Sequence, residues 1–107
     1  KAALLTCRRI LKPGGTLLIT VPGITNIDHG DWENKFYYCF TTHLFSVIGM
    51  DLFPHDEVTI RNFGNVKSAT AFLYGLGKHE ISSDTYRYHD SHYQLIVAVK
   101  ITKCLNG

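Results

Sequence analysis

Residues 16–21, Thr16-Leu17-Leu18-Ile19-Thr20-Val21, make an unbroken run of apolar and β-branched residues between Lys12-Pro13-Gly14-Gly15 and Pro22-Gly23. Alternation of polar and apolar residues would mark a strand with one wet face. Its absence predicts a strand buried on both faces, at the centre of a helix-covered sheet. Pro13 ends the helix before it, having no N–H to donate and disfavouring helical dihedrals at Lys12. Gly14 and Gly15 allow a sharp reversal into the strand. Pro22 stops the ladder and Gly23 opens a loop at the carboxyl end, where open α/β sheets place their ligands. A site is therefore expected just after Val21.

The rest of the chain follows from this strand. Residues 2–11 read as an amphipathic helix, with Arg8, Arg9 and Lys12 at the end favoured by the helix dipole. A helix feeding a buried parallel strand is the second half of a strand–helix–strand crossover. The strand that opens the crossover is missing, and the expectation is that sequence upstream of Lys1 supplied it. Residues 24–34 read as a long polar loop, followed by the aromatic patch Phe36-Tyr37-Tyr38-Cys39-Phe40. Thr41 or Thr42 can cap a helix over 43–52 with Leu44, Val47, Ile48 and Leu52 on one stripe. A strand over 57–63 and a helix over 66–75 come next, the helix burying Ala69, Phe72 and Leu73. A polar stretch over 80–91 leads to the last strand, 93–102, which places Leu95, Val97, Val99 and Ile101 on one face. No repeat or linker interrupts residues 1–107, so they read as one α/β unit of three strands and about three helices.

Composition excludes several classes. At 107 residues with 45% hydrophobic and 19% charged residues, the chain is neither disordered nor long enough for two domains. A net charge of +2 with no basic cluster beyond Arg8-Arg9 gives no support to nucleic-acid or polybasic membrane binding. No apolar run approaches the roughly 20 residues needed to cross a bilayer. Cys7, Cys39 and Cys104 are an odd number at wide spacing, which argues against a disulfide framework and fits a reducing cytoplasm.

The helix ending Arg8-Arg9-Ile10-Leu11-Lys12-Pro13-Gly14-Gly15, followed by an apolar strand closing in Val21-Pro22, resembles the second half of class I S-adenosylmethionine-dependent methyltransferases. The resemblance implies a partial Rossmann-like sheet made of the equivalents of strands five, six and seven. In that plan a helix follows the fifth strand, and the antiparallel seventh inserts between the fifth and sixth. Tyr37-Tyr38-Cys39-Phe40-Thr41, with Gly64-Asn65 before an Ala-containing helix, is similar to a subgroup that modifies sugars and polysaccharides. Its members often read Tyr-Trp-Arg-Phe-Thr there, and Tyr38 and Cys39 stand in place of Trp and Arg.

Methyl transfer needs a gripped sulfonium donor, normally a Gly-rich turn after a first strand and an acidic residue on the ribose. Neither is present: Gly75-Leu76-Gly77 follows a helix, not a strand. The expectation is a substrate-side portion, inactive alone, with S-adenosylmethionine the cofactor of the parent family and no cofactor for this chain by itself. Candidate substrate contacts are Pro22, His29, Trp32, Tyr37, Tyr38, Thr41 and His43. Trp32 could stack on a ring or lie as a lid over local core. Tyr37, Tyr38 and Phe40 form a pocket wall or pack inward. His29 and His43 suit a general base near neutral pH, or are ordinary surface histidines. Asn65 reads as a turn or cap residue, or one facing the pocket. His89 and His92 have a spacing compatible with metal, although a polar loop explains them as well, and no metal is expected. An exposed apolar sheet edge predicts association with a missing half or with a second copy, as a stand-alone interaction module.

Overall fold

The last strand of the chain lies in the middle of its sheet. In the computed structural model, which describes residues 1–25, 29–35 and 38–106, the chain begins with α1 (Ala2–Ile10), β1 (Thr16–Pro22), α2 (Thr42–Leu52) and β2 (Glu57–Phe63). It continues through α3 (Val66–Leu73), a 3-10 turn (Lys78–Glu80), α4 (Ser83–Arg87) and β3 (Ile96–Thr102). The strand order is β1-β3-β2, and β3 pairs antiparallel with both neighbours. β1 and β2 thus run parallel to each other without touching. The α/β class and three strands follow the sequence pattern, while α4 is a helix that the polar composition of 80–91 conceals.

The register fixes two unlike faces. Rows Leu17–Ile101–Val58 and Ile19–Val99–Ile60 lie on one. There Val97, Val99 and Ile101 are at most 2% exposed and meet Phe45 and Phe53, with Leu4 of α1 and Ile48 and Leu52 of α2 packed alongside. Both α1 and α2 therefore cover the same face. Rows Leu18–Lys100–Thr59 and Thr20–Ala98–Arg61 lie on the other, which carries charge and no covering helix over most of its extent.

This corrects the expectation that residues 16–21 are buried on both faces at the centre of a sheet. β1 is an edge strand whose exposure alternates, and Leu18 is 69% exposed. The physical reason is that the helices before β1 and β2 both fall on the closed face. β3, whose outward residues include Lys100, takes the central place instead.

Two helix stripes also differ from expectation. In α2 the inward residues are Phe45, Ile48, Gly49 and Leu52, whereas Leu44 and Val47 are exposed. Gly49 permits this close approach, since a Cβ there would sit 3.3 Å from Val58 Cγ1. In α3 the buried residues are Ser68 and Ala71, while Phe72 and Leu73 stay exposed. α3 stops at Leu73 because Gly75, at φ +72°, reverses the chain so that Gly75 and Leu76 N–H bond the carbonyls of Phe72 and Ala71.

One ion pair ties the termini of these elements together. The Asp56 carboxylate, with no exposed side-chain surface, accepts two bonds from the Arg8 guanidinium and one from Cys104 N–H at 3.0 Å. The Arg8 hydrogen bond, outweighing desolvation, holds the Asp56 carboxyl below its ordinary range and raises Arg8 above its own.

The whole is a slab, 48 × 33 × 22 Å, with a radius of gyration of 16.1 Å. A closely folded chain of this length has about 13 Å. Its accessible surface is 7874 Å², against about 6,000 Å² for a compact monomer of this mass.

Candidate functional site

At the carboxyl end of β1 the chain is clamped rather than free. Gly23 N–H bonds Leu95 O at 2.9 Å, and Phe40 N–H bonds Pro22 O at 3.0 Å. The Gln94 side chain completes the clamp, donating to Phe40 O at 3.0 Å and accepting from Thr42 N–H at 3.1 Å. One amide thus fixes the segment entering α2 against the segment entering β3.

Beside this clamp lies a cleft of about 500 Å³. Thr20, Val21 and Pro22 of β1, Ile24 and Thr25 just after it, Leu95 and Ile96 at the start of β3 and Phe72 of α3 line it. The lining is apolar apart from two threonines and includes no titratable side chain among the described residues. The size suits a small-molecule pocket. As it stands, it is an open apolar surface that can receive an apolar group, and among the described residues no side chain lining it can take a proton.

Of the expected contacts, Pro22 lines the cleft and Tyr37 lies outside the described residues. Thr41 is the N-cap of α2, its Oγ1 accepting from Leu44 N–H at 3.1 Å. His43 is exposed in the first turn of that helix, and His29 is exposed in the loop. Trp32 is 56% exposed with Lys35 Nζ 4.8 Å from its ring centroid, which corrects its reading as a lid over local core. Tyr38 is 71% exposed, and its ring tilts against Phe40 at 6.0 Å. Phe40 in turn packs on Phe45 at 5.8 Å, so the aromatic patch divides into a packed ring and an outward one.

Asn65 turns inward as a structural anchor. It is fully buried and caps α3, its Oδ1 accepting from Ser68 N–H while Ser68 Oγ accepts from Asn65 N–H. Its Nδ2 donates to Thr85 O at 2.6 Å and Tyr88 O at 2.7 Å. Among the described residues no group of three His, Cys, Asp or Glu could hold a metal ion; His89 and His92 are exposed.

Sequence reasoning missed Phe72, Gln94 and Leu95. The helical spacing of Phe72 is that of a buried residue, whereas the structure leaves it 43% exposed at the cleft. Gln94 had a signal: it is the lone polar side chain at the head of the apolar run that becomes β3. No family model, curated protein or solved structure matches the chain.

Proposed function

We propose that this chain is the substrate-side portion of an S-adenosylmethionine-dependent methyltransferase-like sheet, with β1, β2 and β3 as the fifth, sixth and seventh strands. The observation that carries this reading is the strand order. The final strand inserts antiparallel between β1 and β2, each of those is preceded by a helix, and both helices lie on one face. The bare outer edge of β1 is where such a sheet would continue into its donor-binding half.

In this reading the cleft beside Pro22 forms one wall of the acceptor pocket and receives the acceptor's apolar part. It orients that group. A hydroxyl or amine acceptor also loses a proton, and among the described residues no side chain lining the cleft can accept it. In this reading the donor-binding half supplies the donor grip, and the chain by itself is expected to be inactive.

The test adds a separately folded donor-binding half of a sugar-modifying methyltransferase to the chain and follows transfer of radiolabelled methyl to a saccharide panel. The reading expects transfer only from the mixture, and loss of it in Phe72→Asp, which places a charge in the cleft. Saturable micromolar binding of S-adenosylmethionine to the chain alone would refute it, because the donor grip would then lie within these residues.

A second reading, a non-catalytic module that works by association, is favoured by the surface excess and by the same bare edge.

A further inference from the structure

β1 leaves one side of its backbone unmet. Gly23 N–H bonds Leu95 O, and Lys103 N–H bonds Gly15 O. In an antiparallel ladder bonded pairs alternate, so the odd-numbered residues of β1 bond to β3. The N–H and C=O groups of Thr16, Leu18 and Thr20 therefore point to the outer edge, where no strand pairs with them among the described residues. Pro22 O, next in the row, is already taken by Phe40 N–H.

The two outer edges of the sheet are not alike. β2 carries Glu57 and Arg61, charges of the kind that guard an edge against pairing, while residues 16–21 of β1 hold no charge and no proline. The open face shows the same gradient, from Thr59 and Arg61 on β2 to the exposed Leu18 on β1. Unmet apolar surface and unmet backbone thus coincide on β1.

We propose that β1 pairs with β1 of a second copy, antiparallel about a two-fold axis at Leu18, giving a six-stranded sheet β2-β3-β1-β1-β3-β2. The occupant follows from the sequence of the edge. A two-fold at Leu18 sets Thr16 against Thr20 and Leu17 against Ile19, so a second copy brings threonine to threonine and aliphatic to aliphatic, with no charge on either strand to oppose the pairing. Six backbone hydrogen bonds form from Thr16, Leu18 and Thr20, and the two Leu18 side chains meet on the open face. A register centred on Ile19 forms only four, because Pro22 has no N–H to give. The inference rests on this edge and not on the methyltransferase reading.

Light scattering on the chain from micromolar to submillimolar concentration tests it. The expected mass is twice 12.1 kDa. Leu18→Lys, an outward change that sets two ammonium groups on the axis, is expected to give monomer, and Thr59→Lys on the opposite edge to leave the dimer intact. Thr20→Pro removes an edge N–H without touching the β3 ladder and gives a second route if Leu18→Lys fails to fold, as circular dichroism would reveal. Hydrogen exchange reads the register, with the Leu18 and Thr20 amides protected only where the dimer is populated. A monomer throughout overturns the proposal, as does a dimer that survives both β1 variants, or open-ended growth instead of closure at two. None of these outcomes depends on methyl-donor binding; a donor-binding half would take the same β1 edge, so the dimer belongs with the associative reading, and donor binding and self-pairing are read out separately.

Discussion

Replacing Asn65 separates a helix cap from an anchor. Its side chain makes three hydrogen bonds with no exposed surface: Ser68 N–H to Oδ1, and Nδ2 to Thr85 O and Tyr88 O. Asn65→Ala removes a cap worth about 1 kcal/mol and strands two carbonyls at about 1 kcal/mol each. The expected loss is about 3 kcal/mol, a large share of the stability of a chain this size. Asn65→Ser keeps the cap and loses the rest, so about 2 kcal/mol. Asn65→Asp is decisive. Asp caps as well as Asn, so a pure cap predicts no change. Here its second carboxylate oxygen would face two carbonyl oxygens in a buried site, and the loss should equal or exceed that of Asn65→Ala.

The Asp variant also has a pH signature. Burial and the facing carbonyls favour its protonated form, so its folded pKa lies above the unfolded value near 4. The neutral acid can donate its O–H to one carbonyl, so the penalty at pH 7 should shrink as pH falls through that raised pKa. Urea unfolding at pH 7 and pH 4.5, at one fixed protomer concentration, measures both quantities. Hydrogen exchange over residues 82–90 locates the loss at α4. An Asn65→Asp variant within about 0.5 kcal/mol of the parent at pH 7 would refute the reasoning, leaving the Nδ2 bonds without energetic weight.

Four further substitutions test other parts of the fold. Asp56 has its carboxyl held low by Arg8, so its contribution is present above the unfolded value near 4 and is lost as pH falls through the folded one; urea midpoints at pH 7 and pH 3 should fall further in the parent than in Asp56→Asn, and equal falls would refute the linkage. Gly64→Ala should cost about 3 kcal/mol in a denaturant melt, because φ is +111° and the new Cβ would lie 2.6 Å from Leu95 Cβ. Val97→Ala, fully buried, should cost about 2–3 kcal/mol, and Ile96→Ala on the open face less than about 1 kcal/mol; comparable losses would show that the faces of β3 are misassigned.

Most of the fold is legible where one residue type enforces one geometry. Pro13 and the glycines after it end α1 and start β1 at Thr16. The alternation Val58, Ile60 against Thr59, Arg61 marks β2 at its observed bounds, Glu57–Phe63. Legibility fails where an outcome depends on neighbours that a linear pattern does not name. Leu18 looks like a core residue, but whether a strand is covered on its second face depends on where the helices fall, and α1 and α2 both fall on the closed face. In α2 the choice between the Leu44–Val47 and Phe45–Ile48 stripes turned on Gly49, which lets the helix settle against Val58 only on that side.

The sequence points to the end of β1, beside which the cleft lies, but not to the residues that line the cleft, and the reason is chemical. Pattern reading looks for residues able to act, so it selected His29, Trp32, Tyr38 and His43, all of which the fold turns outward. The cleft is instead built from Thr20, Pro22, Phe72, Leu95 and Ile96, residues that look like packing until one face of the sheet is found bare. The same bareness leaves Leu18 and its backbone at the edge unmet. Here the cleft and the unpaired strand share Thr20, so whatever completes β1 also borders the cleft, and binding there is expected to depend on association along that edge.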